Sequence, residues 1–213
     1  MARIGESGSQ QGEKGGKARA TRALLLDAAV KVIGRKGYTG ATVDEIVEEA
    51  GVSKGLAYYH FKSKAEMASS ILDNGMGELA DEFVEIAARA ENGPSALVGM
   101  IECFAGMIFE NKEFGRFFVS ELWREGRTWS GSMRENEERL LGLISGQLQR
   151  AKDEGLIRPE IDVDFEAVAL VGMVLTTSLY YIDEKTEVSK ETFMGNIIDF
   201  VRHANVRIDQ AGL

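Results

Sequence analysis

The residues Gly51-Val52-Ser53-Lys54-Gly55 carry the Gly-x-Ser-x-Gly spacing that exposes a nucleophilic serine when it sits on a strand-to-helix turn. Such an elbow needs a strand before the serine. Here Val43, Ile46, Val47 and Ala50 precede it at helical spacing, so Ser53 follows a helix and serves better as the cap of the next one. Other reactive chemistry is sparse. The chain has two histidines, His60 and His203, and one cysteine, Cys103. It lacks His-Glu-x-x-His, a phosphate-cradling loop and paired Cys/His metal spacing. Carboxylates are numerous and no pair stands out. No catalytic residue, no metal and no cofactor is expected. The spacing of Lys54, Tyr58 and His60 suits a different chemistry. A lysine at a helix start can donate to guanine O6 and N7 or to phosphate, and a tyrosine one turn later can reach a phosphate, a sugar or a methyl group.

Two short helices must position those side chains. Thr42 is an N-cap with Glu45 three residues on, which is the capping-box pattern. Gly51 can take the left-handed backbone that ends a helix. Ser53 then opens a second helix that exposes Lys54, Tyr58 and His60 and buries Ala57 and Phe61, with Tyr59 packing partly against the domain. Two helices and a tight turn of this kind present the second helix to the DNA major groove. A helix from about Ala18 to Arg35 precedes them, with Leu25, Ala28, Ala29, Val32 and Ile33 as its buried stripe and Gly37 as its stop.

A long helix follows from about Lys64 to Ala90, with Leu72, Met76, Leu79, Phe83, Ile86 and Ala90 along one seam. Asn92-Gly93-Pro94 breaks it. Further helices are predicted over about 95–110, 114–125, 133–154, 164–182 and 189–206, with a loop at 126–132. The class is all-α with about nine helices. The domain reading is a disordered, basic-leaning tail at 1–17, a helix-turn-helix domain at 18–63 and a second domain at 64–213.

The formal net charge of −9 looks wrong for a nucleic-acid partner, but its distribution is uneven. Residues 1–64 hold 11 Lys and Arg against 7 Asp and Glu, and the remainder holds 14 against 27. Phosphate attraction is local, since salt screens charge beyond roughly 8 Å at physiological ionic strength. A basic end can therefore bind DNA beneath an acidic body. One cysteine excludes a disulfide framework within the chain, and with no apolar leader core the expected location is cytoplasmic. The longest uncharged apolar stretch, Ala167 to Ile182, is shorter than the about 20 residues of a membrane span, so no membrane is expected.

The chain resembles the TetR (tetracycline-repressor-like) family of bacterial regulators across about Ala18 to Met67. The carrying elements are Gly37-Tyr38, Thr42-Val43, Ile46-Val47, Ala50 through Gly55, Tyr58-Tyr59-His60-Phe61 and Ser63-Lys64. Leu56-Ala57 departs from the Thr-Leu of many members, so operator sequence does not carry over. The resemblance implies DNA contact by Thr42, Ser53, Lys54, Gly55, Tyr58, Tyr59, His60 and Lys64, the last through phosphate. It also implies a small-molecule effector site between helices of the second domain.

Aromatic and methionine residues cluster between 104 and 133. The expected pocket residues are Phe104, Met107, Ile108, Phe117 and Phe118, with Trp123, Trp129, Met133, Met173 and Tyr180. Arg116, Arg124 and Arg127 could receive an anionic group, and Glu102 or Glu121 a cation. The nearly uncharged helix to Ile182 needs a partner on one face, which with the last helix predicts a homodimer through Val168, Val171, Leu175, Ser178, Leu179, Ile197 and Val201. The resulting expectation is a ligand-responsive regulator of double-stranded operator DNA, most simply a repressor released from a palindromic operator by a largely apolar molecule. The alternative is a ligand-independent nucleoid or architectural DNA protein.

Overall fold

The computed structural model describes residues 7–122, 124, 130–182 and 188–205. Among them are nine helices and no strand: α1 Ser7–Gly40, α2 Val43–Ala50, α3 Lys54–His60, α4 Lys64–Arg89, α5 Gly93–Glu110, α6 Lys112–Leu122, α7 Gly131–Asp153, α8 Val163–Ile182 and α9 Lys190–Asn205. The chain divides into two compact units, Met1–Ile71 and Leu72–Leu213, so α4 begins in the first and continues in the second.

In the first unit, Leu25, Ala29, Ile33, Ile46, Ala57 and Phe61 meet in the core. Gly37 breaks the helical path of α1 with φ 72°, a backbone that glycine adopts freely, and the chain winds on to Gly40. α1 starts at Ser7, ahead of the expected Ala18; its extra segment has no apolar stripe, which was the sequence signal for a helix start. Thr42 and Glu45 form a complete capping box on α2. Gly51, at φ 66°, closes α2 with its N–H on the Glu48 carbonyl at 3.1 Å, and Val52 N–H reaches the Val47 carbonyl at 3.1 Å. Ser53 Oγ accepts from Leu56 N–H at 3.3 Å and starts α3.

The second unit is built round α5, against which α6, α7, α8 and α9 all pack. α5 has the length and composition to cross a membrane, but half of it is buried among these helices, as a core helix of a folded domain would be. Asn92 caps it through Ser95 N–H, at 2.9 Å. Gly93 has no room for a side chain, because a Cβ there would stand 2.5 Å from the Gln147 carbonyl oxygen and from Ala151 N on α7. The end of α7 clamps this corner. Arg150 donates to the carbonyls of Ala90 (3.3 Å) and Glu91 (2.8 Å) at the end of α4, and Glu154 accepts from Gly93 N–H at 2.9 Å. Nearer its start, α7 is tied to α4 by Ser132 and Asn136 donating to the Asp73 carboxylate and by Arg139 paired with Asp81 at 2.7 Å. Asp162 caps α8 by accepting from Asp164 and Phe165 N–H.

Candidate functional site

α3 has one buried edge. Ala57 and Phe61, four residues apart, point into the core, and the Arg22 guanidinium lies 5.0 Å from the Phe61 ring centroid. Leu56 and Tyr58 are exposed on the two flanks of α3, with the open Gly55 and the capping Ser53 before them. Tyr59, expected to pack partly against the domain, is instead 79% exposed. The reason is angular: Ala57 and Phe61 hold the inward direction, and Tyr59 lies two residues, about 200°, from Ala57. The half-buried His60 meets the Tyr59 ring edge-on at 5.1 Å.

Two further residues expected to meet phosphate are otherwise engaged. Thr42 N–H donates to Glu45 Oε2 at 3.0 Å and its Oγ accepts from Glu45 N–H at 3.2 Å, so the capping box takes the amide, while the hydroxyl can still donate to a DNA oxygen. Lys64, expected to project from the start of α4, turns inward. Its ammonium donates to the carbonyls of Tyr38 and Ala41, the latter at 2.5 Å, and lies 4.4 Å from the Tyr38 ring centroid. Two orphan carbonyls and an aromatic face hold a cation better than a helix start does, because the helix N-terminus itself repels positive charge.

Carboxylates of α2 match several cations. Glu49 pairs with Arg35 at 2.7 Å and Lys31 at 3.9 Å, Glu45 with Lys36 at 2.5 Å, and Asp44 with Lys54 at 2.6 Å. The Lys36 hydrogen bond, followed by the Thr42 amide, lowers the Glu45 carboxyl to about 2. Arg35 lowers that of Glu49 in the same way.

The second unit contains an apolar chamber of about 360 Å³. Its wall is made by α4 (Met76, Leu79, Phe83), α5 (Leu97, Met100, Ile101, Phe104), α7 (Leu140, Leu141, Ile144) and α8 (Val168, Val171, Leu175), with Phe118 from α6. Glu137 is the one charged side chain among the described lining residues. Of the expected pocket residues, only Phe104 and Phe118 line this space. Ile108, Phe117 and Met133 are fully buried in solid core, Met107 is half-buried outside it, Met173 faces a separate groove between α8 and α9, and Tyr180 is exposed. Trp123, Trp129 and Arg127 lie outside the described residues. Glu121 is not open to a cationic ligand, because it is 1% exposed and bound by Arg124 Nε at 2.7 Å. Of the missed wall residues, Met76, Leu79 and Phe83 belong to the seam expected on α4, and Val168, Val171 and Leu175 were expected at a dimer face of α8. A stripe facing a void has the same composition as a stripe facing another stripe.

The expected dimer residues also divide. Leu175, Ser178 and Ile197 are buried within the unit, while Val171 and Val201 are half-buried. The side chain of Leu179 lies outside the described ones. α8 turns Leu170, Val174, Leu175 and Ser178 inward, which leaves Phe165 (70% exposed), Val168 and Tyr180 outside, joined on α9 by Phe200. An uncharged helix gives the sequence no marker for which of two apolar faces is the inner one. Among the described residues, no group of His, Cys, Asp or Glu is placed to hold a metal ion.

The family model for bacterial regulatory proteins, tetR family, matches residues 25–71, the stretch that holds the α2–α3 motif. The chain is 30% identical over 184 residues to the uncharacterized HTH-type transcriptional regulator YhgD of Bacillus subtilis, covering 81% of this chain and 90% of that one. A Clostridium perfringens putative fatty acid metabolism regulator superposes with a TM-score of 0.69 at 27% identity, over 87% of this chain and 100% of the other. The fold is also that of FadR from Bacillus subtilis, solved in complex with stearoyl-CoA, at a TM-score of 0.76 and 20% identity, over 84% and 96% of the two chains. With its capped α2–α3 motif and an all-helical second unit, this chain belongs to the tetR family of bacterial regulatory proteins and is a helix-turn-helix transcriptional regulator.

Proposed function

We propose that the protein is a cytoplasmic homodimer that represses transcription from a palindromic operator and is released by a small, largely apolar effector. The observation that carries this reading is the apolar chamber, because α4 forms part of its wall and also begins the helix-turn-helix unit's last element. An effector that favours one position of α4 over another shifts operator affinity by the difference in its own affinity for the two states. The outer apolar residues Phe165, Tyr180 and Phe200 are the surface assigned to the second copy. Two-fold symmetry would set two copies of α3 on successive half-sites. A DNA-coating protein without a ligand has no use for such a chamber.

Lys54, Tyr58 and Tyr59 are the side chains of α3 assigned to operator DNA, with Leu56 against a thymine methyl. Tyr58→Ala is expected to weaken binding to DNA from the protein's own promoter region about tenfold, with little change on random duplex. Equal loss on both DNAs would contradict a role for Tyr58 in reading sequence.

The chamber also constrains the effector. With no Lys, Arg or His among its described lining residues, it suits an uncharged apolar body, and any anionic portion must remain outside it. The experiment is DNA binding and thermal melting of the dimer with a panel of long-chain alcohols, esters and acyl thioesters. A true effector at about 100 times its Kd adds about 2.7 kcal/mol to the stability of the second unit and lowers operator affinity. If no compound in the panel raises the melting temperature, the effector reading fails.

A further inference from the structure

The ion pairs of α2 are of two kinds. Glu45 and Glu49 bind cations of α1 (Lys36, Arg35 and Lys31), and so join two helices of the fold. Asp44 binds Lys54, the first residue of α3, at 2.6 Å, with both side chains more than half exposed. Lys54 lies one turn before the exposed Tyr58 on α3, so a phosphate or a base edge that takes this ammonium must first displace a carboxylate. Exposed pairs of this kind are weak, which makes the exchange easy where a good acceptor is offered. Where none is offered, the pair is neutral and releases no counterions from DNA.

We propose that Asp44 is a specificity-determining residue. It competes with the phosphates of non-operator DNA for Lys54 and yields the lysine where α3 is seated in the groove and two acceptors, such as the O6 and N7 atoms of a guanine, meet it at once. The inference rests on the docking of α3 in the major groove. Asp44 acts through Lys54, not through contact with a base. The carboxylate also raises the Lys54 ammonium above the usual lysine range, chiefly by its hydrogen bond and next by its charge. The positive charge of the DNA-binding unit is thereby reduced at the one lysine of the recognition helix, consistent with an acidic chain that must ignore bulk nucleic acid.

The test is fluorescence anisotropy of the full-length protein on a random duplex of about 30 base pairs and on promoter-region DNA, from about 50 to 300 mM salt. Asp44→Asn is expected to bind random DNA about three- to tenfold tighter, with the slope of log K against log salt steeper by about 0.9. Asp44→Glu should keep wild-type behaviour, and Asp44→Asn should add nothing in a Lys54→Ala background. A merely structural role for Asp44 at the start of α2 would instead weaken binding to both DNAs. Unchanged or weaker random-DNA binding by Asp44→Asn overturns the inference, as does an equal gain without Lys54. If Lys54→Ala leaves promoter binding untouched, the docking of α3 falls and the inference with it. A Lys54 effect with no Asp44 effect removes the inference alone.

Discussion

Arg124→Ala is expected to destabilise the second unit by about 3–5 kcal/mol, the largest single-residue effect outside the apolar core. Glu121 is 1% exposed, and Arg124 Nε donates to its Oε2 at 2.7 Å. Removing the cation leaves a carboxylate buried without its partner, so the loss reflects an uncompensated charge and not the net worth of the pair. Glu121 stands one turn beyond Phe117, which is solid core, and three residues beyond Phe118, which lines the chamber. Loosening this end of α6 should therefore also weaken effector binding. Chemical denaturation measures the loss. Because Arg124 makes other contacts as well, the decisive comparison is with Glu121→Gln added: the double variant should recover most of the stability. A single-variant loss below about 1 kcal/mol would mean that water reaches the carboxylate.

Lys64→Ala should cost the first unit about 2–4 kcal/mol, from two hydrogen bonds of a charged donor and the lost contact with the Tyr38 ring. DNA binding should fall only as the folded fraction falls, with the salt dependence unchanged. The family resemblance implies the reverse, a phosphate contact whose removal flattens the salt slope by about 0.9 with little change in stability. Paired denaturation and salt-titration curves on one sample separate the two. A flatter slope at full stability would restore Lys64 to the DNA face.

That contrast shows where the sequence was sufficient. The starts of α2 and α3 were legible because caps are local: Thr42 with Glu45, and Ser53, each act within three residues of themselves. The buried edge of α3 followed from Ala57 and Phe61 being one turn apart. The destination of a long side chain was not legible, since Lys64 bonds to carbonyls 26 and 23 residues away. The chamber was hidden for another reason. Phe104, Phe117 and Phe118 are alike in type, but only packing decides that Phe117 meets solid core while the other two face space. The dimer assignments on α8 went astray by part of a turn, at Leu175 and Ser178, because no charge on that helix marks its outer side.

The clamp of Arg150 on the carbonyls of Ala90 and Glu91 has a mechanical consequence. It makes the far end of α4 a fulcrum. At 1.5 Å per residue, Leu79 stands about 15 Å from that pivot and Asp73 about 24 Å. If α4 turns there as a stiff rod, a 1 Å push at Leu79 moves Asp73 by about 1.6 Å. The ties of α7 to Asp73 and Asp81 act as catches that must slip before the rod can swing. By this gearing, a small displacement at the chamber wall arrives enlarged at the hydrogen bonds of Asp73, which are lost beyond about 3.5 Å.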